Sequence, residues 1–113
     1  MEAKNNTRFK GMLGFAMRAG KLVLGTDLIL ASVSRKGRDG AKLVIISESA
    51  SFATRDKIAR KCEACGVSCV SVDFDGEELG RLLGKLYAPV AVAVTDDNFA
   101  SEIKRALTDD SQQ

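Results

Sequence analysis

Apolar positions along this chain recur at helical spacing in five segments and run together in short unbroken stretches between them. Phe9, Met12, Leu13 and Ala16 stand at i, i+3, i+4 and i+7, which predicts a first helix capped by Thr7, running to Arg18 and ended by Ala19-Gly20. Residues 21–24 form a strand stub. Gly25-Thr26-Asp27 then reads as turn, N-cap and acidic first turn of a second helix that buries Ile29, Leu30 and Val33. Residues 35–40 carry two glycines and no apolar side chain, which marks a basic loop.

Residues 43–46 are β-prone without polar alternation, the pattern of a central strand covered on both faces. A third helix is expected from a Thr54 cap, with Ile58, Cys62 and Cys65 on one face and Gly66 ending it at positive φ. Arg55, Lys57, Arg60 and Lys61 point away from that stripe. Residues 67–72 return as a strand, and Asp73 or Asp75 caps a fourth helix whose stripe is Leu79, Leu82, Leu83 and Leu86. Leu86-Tyr87-Ala88-Pro89 follows as a loop and residues 90–94 as a strand. Asp96-Asp97 opens a last helix with Phe99, Ile103 and Leu107 inward, and residues 108–113 read as a frayed polar tail. Helices alternating with buried strands predict an α/β chain: a three-layer α/β/α sandwich around a small, mostly four-stranded mixed sheet.

Composition narrows the class. A chain of 113 residues with 45% apolar content suits one domain over residues 1–113, its ordered core from about 7 to 107. No apolar run is long enough for a membrane span, and the N-terminal residues lack the pattern of a secretory signal, so no membrane partner is expected. Three clustered cysteines fit a reducing, cytoplasmic compartment.

Net charge is only +2, but it is unevenly spread. Residues 1–61 hold 13 Lys and Arg against 5 Asp and Glu, a surplus of +8, whereas residues 62–113 hold 4 against 10, or −6. The basic half is the candidate polyanion-facing half, a solvated mixed surface being the plainer alternative.

Catalytic chemistry has little to work with. Histidine is absent, which removes the commonest general base and metal ligand. Cys62-x2-Cys65-x3-Cys69 has ligand-like spacing but no fourth Cys or His, so structural thiols are expected and no metal. The glycines match neither common phosphate-loop spacing, so no nucleotide cofactor is expected. The chain reads as a binding protein, not an enzyme. Gly25 leaves two local readings open: helix-start amides aimed at a phosphate or base edge, or an ordinary capped connection.

The order AMRAGKLVLGTDLIL, AKLVIISESAS, KCEACGVSCVSV and ELGRLLGKLYAPVAVAVTD resembles the bacterial YlxQ-like ribosomal proteins, of the L7Ae and L30e superfamily, over Phe9 to Leu107. The resemblance implies a ribosome-associated protein that binds structured RNA such as a kink-turn, rRNA included, with no DNA partner. It implies an RNA face of three pieces: Gly25, Thr26, Asp27 and Leu28 with Ala31 one turn on; Ser47, Glu48 and Ser49; and Leu86, Tyr87, Ala88 and Pro89. Helix-start amides and Lys21 would hold phosphates, and the apolar loop would pack on extruded bases.

The sequence departs from that family where the sheared G·A pairs are read. Relatives carry Asn or Lys, then Glu or Gln, then Lys three residues on; here those positions hold Asp27, Leu28 and Ala31. Reduced specificity follows, with affinity expected from Lys21, Arg35, Lys36, Arg38 and Lys42. The rival reading is a protein-interaction module of the translation machinery that has lost kink-turn reading and docks on a ribosomal or translation factor. Salt separates them, since phosphate contacts weaken steeply with ionic strength.

Overall fold

The computed structural model describes residues 2–35 and 37–111. The elements are α1 (Glu2–Arg18), β1 (Leu22–Leu24), α2 (Thr26–Ser34), β2 (Leu43–Ser47), α3 (Phe52–Cys65), β3 (Ser68–Val72), α4 (Gly76–Leu82), β4 (Ala91–Val94) and α5 (Asp97–Ser111). The four strands form one mixed sheet in the order β1-β4-β2-β3. β4 runs antiparallel to both β1 and β2, and β3 lies parallel to β2.

Strand alternation divides the core into two. Leu43, Ile45, Val92 and Val94 face one way and meet Phe9 and Leu13 of α1, Leu79 of α4 and Ile103 of α5. Val44, Ile46, Ala91 and Ala93 face the other way and meet Ile29 and Val33 of α2 and Ile58 and Cys62 of α3. The expected α/β/α sandwich is therefore present. All five residues of β2 are buried, and each fully buried Leu, Ile or Val contributes about 1.5–3 kcal/mol. The small Ala91 and Ala93 side chains leave room for α2 and α3 to settle on the sheet.

Several boundaries differ from the sequence reading, each for a local reason. α1 begins at Glu2, so Thr7 lies inside it and does not cap it; Glu2, Ala3 and Lys4 are good helix formers that carry no apolar signal. The N-cap of α2 is Gly25, not Thr26. The N-cap of α3 is Ser51, whose hydroxyl accepts from the Thr54 amide at 3.2 Å, which places Thr54 three residues into the helix. α5 continues through residues 108–111, where fraying was expected; residues 112 and 113 lie outside the described residues. Gly66 does end α3 in the left-handed region, at φ 72°.

The largest correction concerns α4. Asp75 caps it, accepting from the amides of Glu77 and Glu78, but only Leu79 and Leu83 of the expected stripe are buried. At its far end the Gly84 amide donates to Arg81 O and the Lys85 amide to Gly80 O. This paired closure needs a left-handed residue, supplied by Gly84 at φ 75°. The chain turns away there, and Leu86 is left fully exposed.

Candidate nucleic-acid interface

Strand direction alone gathers the expected pieces at one end of the sheet. β1 and β2 flank β4 and both run against it, so their C-terminal ends lie beside its N-terminal end: Leu24 pairs with Val92, and Ile46 with Ala91. Three connections therefore emerge together. They are the start of α2 at Gly25, the turn after β2 at Ser47, Glu48 and Ser49, and the loop of Leu86, Tyr87, Ala88 and Pro89 leading into β4. The Ser47 amide donates to Val90 O at 2.8 Å and locks the second piece to the third.

Gly25 takes φ 92° and ψ 129°, and no side chain caps α2. A side chain at this φ would be strained, so glycine fits the entry. The first bond of the helix runs from the Ile29 amide to Gly25 O. Helix geometry gives the amides of Thr26, Asp27 and Leu28 no acceptor within the helix. Asp27, Leu28 and Ala31 are exposed on this end and Thr26 is half-buried.

In the second piece Ser47 is buried, and its hydroxyl is spent within the turn. It lies 2.7 Å from Ser49 Oγ, accepts from the Ser49 amide at 3.1 Å, and donates to Phe74 O. Glu48 and Ser49 carry the exposed polar groups. Arg55 of α3 reaches back, its Nη1 donating to Glu48 O at 3.2 Å.

The third piece rests on two glycines of α4. A Cβ on Gly80 would overlap the Tyr87 carbonyl oxygen, and one on Gly76 would stand 2.9 Å from Pro89 O. The loop backbone thus lies directly on the helix, with Pro89 buried, the Ala88 methyl close to Gly76, and Leu86 and Tyr87 exposed. The Gly76-x3-Gly80 spacing was the signal for this seat, and the sequence reading did not use it. Phe52 was missed as well. It is 78% exposed at the start of α3, two residues before the Thr54 cap that the sequence predicts.

The result is an apolar end rather than a basic one. Leu28, Phe52, Leu86, Tyr87 and Val90 are exposed in segments that open there, among Asp27, Glu48, Asp75, Glu77 and Glu78. Lys10 of α1 is paired with Glu78. The cations expected to add affinity are not brought here. Lys21 precedes β1 and Lys42 precedes β2, at the opposite end of the sheet, where Arg35 and Arg38 also lie in the α2–β2 loop. Lys36 is outside the described residues.

The cysteines sit apart from this end along α3 and β3. Cys62 is buried, and Cys65 and Cys69 are half-buried. Cys62 and Cys69 line a groove of about 500 Å³ with Ile46, Phe52, Arg55 and Asp56. A hydrogen bond to Cys69, then burial, raises the Cys62 pKa; the same bond holds Cys69 below its ordinary value, with burial opposing. Among the described residues no cluster of three His, Cys, Asp or Glu could hold a metal ion, and no helix is long and apolar enough to cross a membrane.

Comparison with known proteins places this geometry among relatives. The ribosomal protein L7Ae/L30e/S12e/Gadd45 family matches residues 7–104. The RNA-binding protein YlxQ of Bacillus subtilis is 42% identical over 92 residues, which cover 81% of this chain and 87% of that protein. The RNA-binding protein YlxQ of Enterococcus faecium is 31% identical over 108 residues, 95% of this chain and 98% of that one. Among solved structures, a protein of unknown function from Bacillus halodurans superposes with a TM-score of 0.77 at 28% identity, covering 88% of this chain and 96% of that one. The Giardia lamblia 15.5kD RNA binding protein has a TM-score of 0.69 at 18% identity, covering 94% and 87%, and shares the fold.

Proposed function

Because the chain belongs to the ribosomal protein L7Ae/L30e/S12e/Gadd45 family, as a YlxQ-like member, we propose that it binds structured RNA of the kink-turn type in the cytoplasm, in association with the ribosome. It is a binding protein and not an enzyme. The observation that carries the reading is the meeting of the three connections at one sheet end, where α2 starts without a side-chain cap and Leu28, Leu86 and Tyr87 are exposed.

Each part has a task in this reading. The amides of Thr26, Asp27 and Leu28, at the positive end of the helix dipole, receive a phosphate or a guanine edge. Asp27 accepts from guanine N–H groups, and Tyr87 and Leu86 supply stacking surface for unpaired bases. With Leu28 and Ala31 unable to hydrogen-bond through their side chains, each lost polar base contact costs about 1–3 kcal/mol of discrimination. The kink-turn is therefore held mainly by shape, stacking and backbone amides.

A second reading draws on the same apolar surface. The exposed apolar side chains of Leu28, Phe52, Leu86 and Tyr87 also suit a ribosomal protein or translation factor as partner. Titrating the protein into a labelled kink-turn duplex, and into a matched duplex whose G·A pairs are made Watson–Crick, at several salt concentrations decides between them. Preference for the kink-turn with affinity falling as salt rises supports RNA. Equal binding to both duplexes removes the kink-turn reading, and equal, weak binding that is insensitive to salt favours the protein partner.

A further inference from the structure

We propose that the opposite pole of the molecule is a second contact surface, one that grips an RNA phosphate backbone without regard to sequence. Its core is a pair of lysines fixed by the sheet. The Thr95 amide donates to Lys21 O at 2.9 Å, and the Lys42 amide donates to Val94 O at 2.7 Å. Leu22 and Leu43, the residues that follow these lysines, both pair with Val94 from its two sides. The two lysines are thus two strand spacings apart, about 10 Å.

Arg35 and Arg38 join them from a loop that is closed on itself. The Ala41 amide donates to Ser32 O, the Gly40 amide to Gly37 O, and Lys42 Nζ to Gly37 O. Gly40 packs against the Arg35 carbonyl so closely that a Cβ there would overlap it. Arg18, at the end of α1 one turn before Lys21, lies 5.1 Å from the centre of the exposed Phe15 ring. Lys21, Arg35 and Arg38 are exposed. Carboxylates are present too, at Asp39, Asp96 and Asp97, Asp96 accepting from the Phe99 amide at 3.0 Å, and the cations outnumber them.

Charge decides which pole can hold phosphates. At the end bearing Leu28 and Tyr87 the carboxylates of Asp27, Glu48, Asp75, Glu77 and Glu78 outnumber Lys10, Arg55 and Lys85, whereas at the other Arg18, Lys21, Arg35, Arg38 and Lys42 outnumber the carboxylates. β2 alone spans about 16 Å between them. A duplex seated at one end leaves the other free. The protein would then bridge two RNA segments, a consequence that rests on the kink-turn reading; the phosphate grip itself does not.

The test uses a plain 16-base-pair RNA duplex and the triple variant Lys21→Gln, Arg35→Gln, Arg38→Gln. Lys42 is left intact because its ammonium braces the loop. A second triple variant, Lys57→Gln, Arg81→Gln, Lys104→Gln, removes the same charge elsewhere, and unchanged urea midpoints confirm that both variants fold. The polar variant should bind the duplex at least about tenfold more weakly at low salt, with the slope of log K against log salt reduced by about two to three. The control variant should lose far less. Equal loss in both variants, no loss in the polar variant, absence of duplex binding by the parent protein, or tighter binding of the matching DNA duplex would overturn the proposal. If kink-turn binding fails while duplex binding and its loss stand, the grip survives without the bridge.

Discussion

Gly80 lies directly beneath the carbonyl oxygen of Tyr87, in a space that no Cβ can share. A seven-residue helix therefore fixes a loop through its missing side chain, and the loop offers Leu86 and Tyr87 to solvent only because its backbone is pressed on α4.

Replacing Gly80 with alanine should force loop and helix apart. Overpacking of this kind costs about 1–3 kcal/mol, read as a lower urea midpoint. RNA affinity should fall further than the stability change explains, because the exposed loop side chains move with the backbone. Gly76→Ala, with its nearest atom farther away, should cost less. Equal stability of Gly80→Ala and the parent chain would show that the loop is not held this way.

Tyr87→Ala separates binding from folding at the same place. The side chain is 53% exposed, so its loss should change stability by less than about 0.5 kcal/mol. Losing a base-stacking surface should weaken RNA binding by about 1–3 kcal/mol. Titration of a labelled kink-turn RNA checks this, and unchanged affinity would remove Tyr87 from the interface.

Much of this arrangement was legible in the sequence, and the exceptions have physical causes. Periodicity exposed the elements that bury something: Phe9, Leu13 and Ala16 of α1, the whole of β2, and Ile58 with Cys62 on α3. It failed where the determinant is a hydrogen bond or a close backbone approach. Ser51 and Thr54 are both good caps three residues apart, and it is Ser51, with extended backbone, whose hydroxyl accepts from the Thr54 amide. Leu86 continued the helical spacing, but Gly84 had already turned the chain. At the candidate site, the three segments were named through the family resemblance and not from the pattern of residues. That Lys21, Arg35, Arg38 and Lys42 collect at the other end depends on strand direction, because β1 and β2 both enter the sheet from that side.

The thiol pair predicts a dependence on alkaline pH. Cys62 is raised above its ordinary value of 9.0, so its contribution to stability is complete below that pH. Above it the unfolded chain loses the proton while the folded chain keeps it, and stability falls as pH rises. Cys69 is shifted the other way, and its contribution grows as pH rises towards 9.0. The urea midpoint should therefore decline between about pH 9 and pH 11. Cys62→Ala should start lower, because a buried side chain is lost, and show a shallower decline. Parallel curves for the two proteins would mean that other groups govern the alkaline transition.

The start of α2 gives the sharpest test of how this chain reads RNA. Asp27 and Leu28 are exposed in the first turn of α2 and Ala31 one turn on, the positions at which the family resemblance implies hydrogen-bonding side chains. The triple change Asp27→Asn, Leu28→Gln, Ala31→Lys should alter the folded chain little, because none of the three is buried. Asn removes a charge that repels phosphate, Gln offers a donor and an acceptor to a base edge, and Lys adds a donor one turn on. Each good contact is worth about 1–3 kcal/mol. Preference for a kink-turn over its Watson–Crick counterpart should rise by at least about tenfold, with each single change giving part of the gain. If the triple variant gains affinity for both duplexes equally, the Lys has added only charge and the interface does not read the motif through α2. Selective gain would identify these three positions as setting how far the chain discriminates between the two duplexes.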